Sequence, residues 1–134
     1  MPESPVFNLH TNPVHLGLGA TAVPQENFTG DPDWYSRYAK RTAADGVEGR
    51  LVSMHTFSAP WDSWEVHPLG EELVLCIEGV ITLHQEIDGQ VCTVVLEQGE
   101  GTINPPGVWH TADVDRPTVA LFVTAGAGTG ARPR

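Results

Sequence analysis

Two stretches of this chain, 64–79 (WEVHPLGEELVLCIEG) and 99–110 (GEGTINPPGVWH), each set chemistry-bearing side chains against a rigid turn. In the first, Glu65 and His67 stand two positions apart, so on an extended strand they share one face. Pro68-Leu69-Gly70 turns the chain, Glu71 and Glu72 follow, and the apolar run Leu73-Val74-Leu75-Cys76-Ile77 begins. The second stretch turns through Pro105-Pro106-Gly107 and offers a further imidazole, His110. Two imidazoles and one or two carboxylates on short strands joined by tight turns suit a divalent metal. Strand parity leaves Glu71 and Glu72 both open, because both faces of 73–77 are apolar.

The rest of the chain is punctuated as an all-β protein would be. Among 134 residues, 14 are Gly and 11 are Pro, and no apolar run approaches the length of a membrane span. Strands are expected over 50–58, 61–66, 73–77, 80–86, 91–96, 102–103, 109–114 and 118–124, with Asp88-Gly89 as a two-residue hairpin turn. Asp31-Pro32-Asp33 starts a helix, Arg37, Lys40 and Arg41 favour its C-terminal end, and Gly46 stops it. The expected organisation is an irregular N-terminal arm over 1–30, a helix over 31–46 packed on a barrel, the barrel over 47–125, and a disordered tail over 126–134. Cys76 and Cys92 both have apolar neighbours and read as reduced core residues. The opening MPESPVFNLH has neither a basic segment nor an apolar core, which makes the cytoplasm the default location.

The two stretches resemble the paired signature motifs of the cupins. The first cupin motif has two His separated by one residue, three or four residues, a Glu, six residues and a Gly. His67, Glu72 and Gly79 match it, and Glu65 stands where the first His is expected. The six-residue spacing to Gly79 favours Glu72 over Glu71. The second motif is Gly, five residues, Pro-x-Gly, two residues, His, three residues and Asn. Gly99, Pro105, Gly107 and His110 match it, while Val114 replaces the Asn. The resemblance implies a double-stranded β-helix, or jelly roll, with one N-terminal helix before it, and a homodimer. It also implies metal ligation by His67, Glu72 and His110. Glu65 enters as an oxygen donor in place of nitrogen or as a catalytic acid/base. A carboxylate in that place hardens the site, favouring Fe or Mn ahead of Zn and Ni.

Charge narrows the partners. The net charge is −10, which disfavours nucleic acid and anionic membrane. From Leu51 to Asp115 there are eleven Asp and Glu and no Lys or Arg. An inward carboxylate there needs a proton, a hydrogen bond, a distant Arg or a metal. The same shortage of cations suits a small neutral or aromatic molecule better than an anion. Trp64 and Trp109 alternate with Glu65 and His110 and should face away from the site, whereas Trp61 shares the parity of Glu65 and lines its mouth. Of Met54 and His55 one must point inward; if His55, it is a fourth ligand or an acid/base. Three readings follow: a metal-dependent enzyme of oxygenase type, a ligand- or metal-sensing module without turnover, and a structural cupin whose site has decayed.

Overall fold

The computed structural model describes residues 5–134. Its first antiparallel sheet has six strands in the order β2-β1-β3-β10-β5-β8: β1 (Val14–Gly17), β2 (Thr21–Pro24), β3 (Arg50–Phe57), β5 (Glu72–Glu78), β8 (Gly101–Asn104) and β10 (Thr118–Thr124). The second has five in the order β11-β4-β9-β6-β7: β4 (Ser63–Val66), β6 (Ile81–Ile87), β7 (Gln90–Leu96), β9 (Trp109–Asp113) and β11 (Gly130–Pro133). The two sheets face each other as the expected jelly roll. No helix of the described residues is long and apolar enough to cross a membrane.

Alternation decides what lies between the sheets. Glu72, Val74 and Cys76 on β5, Ile81, Leu83 and Gln85 on β6, and Thr118, Ala120 and Phe122 on β10 are all buried. One inward row on each strand thus runs from apolar core into polar site residues. The outward row of β5 is only partly covered, and Ile77 is exposed, so the strand is not buried on both faces as its composition predicts. Asp88 (φ 52°) and Gly89 (φ 77°) form the expected hairpin turn, which needs the left-handed region at both positions. At Gly79 (φ 90°), a Cβ would lie 2.5 Å from Thr118 Oγ1 and 2.9 Å from the Pro117 carbonyl, so only Gly fits.

The helix α1 (Pro32–Arg41) starts as its sequence dictates, with the Asp31 carboxylate accepting from Trp34 N–H at 2.8 Å. It stops earlier than expected, at Arg41. A 3₁₀ segment (Ala43–Glu48), kinked at Gly46, completes the connection. Trp34 is fully buried, edge-on to Phe28 at 4.9 Å and stacked on Tyr38 at 5.5 Å.

Three sequence-based expectations need correction. The arm is not irregular throughout: β1 and β2 pair with each other, and β1 adds to β3. Buried His15 bonds Tyr38 Oη at 2.6 Å and Asp45 Oδ2 at 2.7 Å, tying the arm to the helical segment. The first four residues of the expected arm, and of the leader reading, lie outside the described residues. The tail is not a free coil either, since β11 pairs with β4. Arg132 supplies the anchor that composition hides: its guanidinium lies 4.5 Å from the Trp109 ring and 5.4 Å from the Trp64 ring, and 2.5 Å from Glu86. Lastly, Cys76 is buried but Cys92 is exposed, because β7 is an edge strand with little covering it; both thiols are free.

Candidate metal centre

Three strands deliver the site. β4 carries Glu65 and ends one residue before His67, β5 begins at Glu72, and β9 carries His110. Glu65 and His110 are direct partners in the β4–β9 pairing, so their side chains stand beside each other. His67 sits in the turn, where its carbonyl accepts from Gly107 N–H at 3.1 Å and draws the two motif turns together. Glu72 shares the inward row of Val74 and Cys76, while Glu71 is exposed. His67, Glu72 and His110 are all more than nine-tenths buried.

Ligand atoms of Glu65, His67 and His110 lie within 4.8 Å of one another. Donors about 2.1 Å from one ion stand at most about 4.2 Å apart, so a small contraction would close this group on a metal. Glu72 lies alongside: one of its oxygens is 3.2 Å from His67 Nε2 and the other 3.2 Å from His110 Nε2. Its position is held by Asn104 Nδ2, donating at 3.0 Å, and Thr124 Oγ1, donating at 2.6 Å. Gln85 Nε2 in turn donates to Asn104 Oδ1 at 2.7 Å, which fixes the amide's orientation.

The tautomers follow from the outer partners. Thr129 Oγ1 has one hydrogen and donates it to the Gly126 carbonyl at 2.7 Å, so towards His67 Nδ1, at 2.8 Å, it accepts. His110 Nδ1 faces the Val108 carbonyl at 3.3 Å, which only accepts. Each ring therefore carries a proton on Nδ1 and, when neutral, turns a bare Nε2 lone pair inward. Both Nε2 atoms are buried and make no hydrogen bond among the described residues, despite the nearby Glu72 oxygens. Lone pairs converging on a carboxylate repel unless a cation lies among them.

With no ion between them, these groups draw a proton into the same place instead. Burial pushes the Glu65 carboxyl above its usual range, and the Glu72 charge adds to this. Burial also opposes ionisation of Glu72, but the two imidazoles outweigh it and hold its carboxyl well below the ordinary value. Burial pulls His110 down, and Glu72 more than reverses that, raising it. Among the described residues, no Lys or Arg lines the cleft that opens over this group.

His55 faces the interior, in the cleft wall, with its ring 5.0 Å from Phe28 and 6.2 Å from Phe122. It does not join the group of ligand atoms. Trp61 lines the cleft and lies 6.3 Å from His110, while Trp64 and Trp109 face outward under Arg132. Sequence reasoning missed Thr129, Asn104, Thr124 and Gln85. Asn104 alone had a signal, as the residue directly before the Pro-Pro-Gly turn of the second motif.

No protein-family model matches the chain, and no curated protein matches it significantly. Solved structures do resemble it. Oxalate decarboxylase of Bacillus subtilis, described with Mn(II) centres, aligns with a TM-score of 0.54 at 16% identity, over 71% of this chain and 26% of that one. A hydroquinone 1,2-dioxygenase, in complex with Cd2+ and 4-hydroxybenzonitrile, aligns at 0.51 and 17% identity over 56% of each chain. An uncharacterized conserved protein with a double-stranded β-helix domain from Klebsiella pneumoniae aligns at 0.51 and 24% identity, over 63% of this chain and 76% of that one. This chain thus spans about half of the dioxygenase chain and about a quarter of the decarboxylase chain.

Proposed function

The chain has the cupin fold, and we propose that it is a small metal-dependent enzyme of oxygenase type acting on a neutral or aromatic small molecule. The observation that carries this reading is the pair of buried, unpartnered Nε2 atoms of His67 and His110, aimed at Glu72 beside Glu65. His67, His110 and Glu72 would hold the ion, with Glu65 as a further oxygen donor or as the acid/base. Two nitrogens with carboxylate oxygens favour Fe or Mn ahead of Zn and Ni. Bound there, such an ion supplies Lewis-acid or O₂ chemistry.

The chain's own residues supply the rest. Thr129 and the Val108 carbonyl keep Nδ1–H outward, and Asn104 and Thr124 hold the Glu72 oxygens in place. Glu65, disposed by burial to keep a proton, is suited to pass one to or from a substrate in the cleft. Metal content of protein purified without a histidine tag, with oxygen uptake on phenols and diketones, tests the reading. Bound Fe or Mn with oxygen uptake supports it. Bound metal without turnover favours a sensing module, and no uptake of Mn, Fe, Ni or Zn favours a decayed site.

A homodimer belongs to the same proposal. β7 ends its sheet with one main-chain edge unpaired, and Val91 and Val95 are more than half exposed on it. Light scattering at the mass of a single chain across micromolar concentrations would remove the dimer.

A further inference from the structure

We propose that the cleft takes a neutral, ring-bearing small molecule with a hydrogen-bonding oxygen, oriented by His55 and the Trp61 indole. This deepens the function proposed above and rests on it only for the chemistry done at the far end of the cleft. The wall is a chain of rings: Phe28 to His55 at 5.0 Å, His55 to Phe57 at 6.2 Å, Phe57 to Trp61 at 5.5 Å, and Trp61 to His110 at 6.3 Å. Those spacings are the ones at which aromatic rings attract edge to face or offset. The cleft, about 1540 Å³, has room for more than an ion and its waters.

Charge selects against ions. Apart from the imidazoles, the charged side chains lining the cleft among the described residues are Asp62, Glu65 and Glu72, all acidic. An anion would give up its water and meet no basic group. A divalent metal changes this little, because the Glu72 charge offsets part of its own and no basic side chain of the described residues adds to the remainder. A cation fares no better: burial disposes Glu65 to keep its proton, the Glu72 oxygens are already engaged by Asn104, Thr124 and the two imidazoles, and Asp62 is exposed to solvent.

Two polar groups in this apolar wall lack protein partners. Trp61 Nε1 is buried without a hydrogen bond. The His55 ring lies near the rings of Phe28, Phe57 and Phe122, and neither of its nitrogens makes a hydrogen bond among the described residues. Burial, with the nearby His10, holds His55 below its usual pKa, so at neutral pH it presents one donor and one acceptor. The indole presents a donor alone. Unsatisfied groups at a cleft wall mark where a ligand's polar atoms belong. A ring between the aromatic walls, with an oxygen accepting from Trp61 Nε1 and exchanging a hydrogen bond with His55, satisfies them together.

The test is calorimetry on the full chain, metal-stripped and metal-loaded, with three probes of one shape: 4-hydroxybenzamide, 4-hydroxybenzoate and 4-hydroxybenzamidine. The amide is expected to bind, with the anion and the cation each weaker by about tenfold or more. His55→Phe and Trp61→Phe should each weaken the amide about tenfold, the loss of one buried hydrogen bond. His55→Gln should recover part of that, because an amide keeps a donor and an acceptor. Metal content should match the unmodified chain in all three variants. Equal or tighter binding of either charged probe, no binding of any probe, or unchanged amide affinity in both Phe variants overturns the proposal. Failure to take up metal with the probe ranking intact sinks the metal-centre reading alone.

Discussion

At the scale of single residues, the site depends on groups that never reach the metal position. Thr129 is the clearest, because its own donation to Gly126 leaves it only an acceptor for His67 Nδ1. Thr129→Val keeps the shape and removes the acceptor, so metal affinity should fall about 10- to 100-fold, as for other outer-sphere partners of ligating histidines. Thr129→Ser should retain it. A metal titration followed by competition with a chelator reads both. His55 makes a separate prediction through pH. Its folded pKa is depressed, so the unfolded chain binds the proton more readily. Folding stability should therefore fall as pH drops through about 6.5, the unfolded value, towards the lower folded one. Denaturant melts at pH 5.5 and 7.5 should show a smaller pH difference in His55→Phe than in the unmodified chain. An equal difference would mean that the imidazole is not desolvated.

At the scale of elements, β11 is what the sequence concealed. Its four residues include Gly and Pro and no large apolar group, and its hold comes from Arg132 lying over two indoles about 20 and 70 positions earlier. Arg132→Ala should cost about 1 kcal/mol, as for a cation–π contact at a partly exposed site. Deleting 130–134 should cost more, because the strand pairing and the Arg134 contact with Asp113 go too. Thermal melts would rank the two. A deletion as stable as the full chain would mean that the tail is not held. The motif elements, by contrast, were legible: the spacing from Glu72 to Gly79 reflects one full strand and its turn, and Gly79 is required by the approach of Thr118 and Pro117. Glu72 over Glu71 came from that spacing, and in the structure Glu72 lies on the inward row of β5 while Glu71 is exposed.

At the scale of the whole molecule, the absence of Lys and Arg from Leu51 to Asp115 becomes a cleft with three acids and, among the described residues, no Lys or Arg in its wall. The architecture was readable because a period of two and turn residues at short intervals recur along most of the chain. The arm strands, the tail strand and the supports from Gln85, Asn104, Thr124 and Thr129 were not. Each depends on a partner far away in sequence, and a short strand beside Pro has little pattern of its own. The proposed metal position was indicated by spacing, while the unpartnered Nε2 atoms that support it came only from geometry.

The central claim is that Nε2 of His67 and of His110 and the Glu72 carboxylate share one ion. Anomalous X-ray scattering from crystals of the chain loaded with Mn or Fe tests it most directly. A single peak about 2.0–2.3 Å from all three side chains is the result expected. A peak elsewhere, or none while both Nε2 atoms hydrogen-bond to Glu72 as protonated imidazoles, would contradict it.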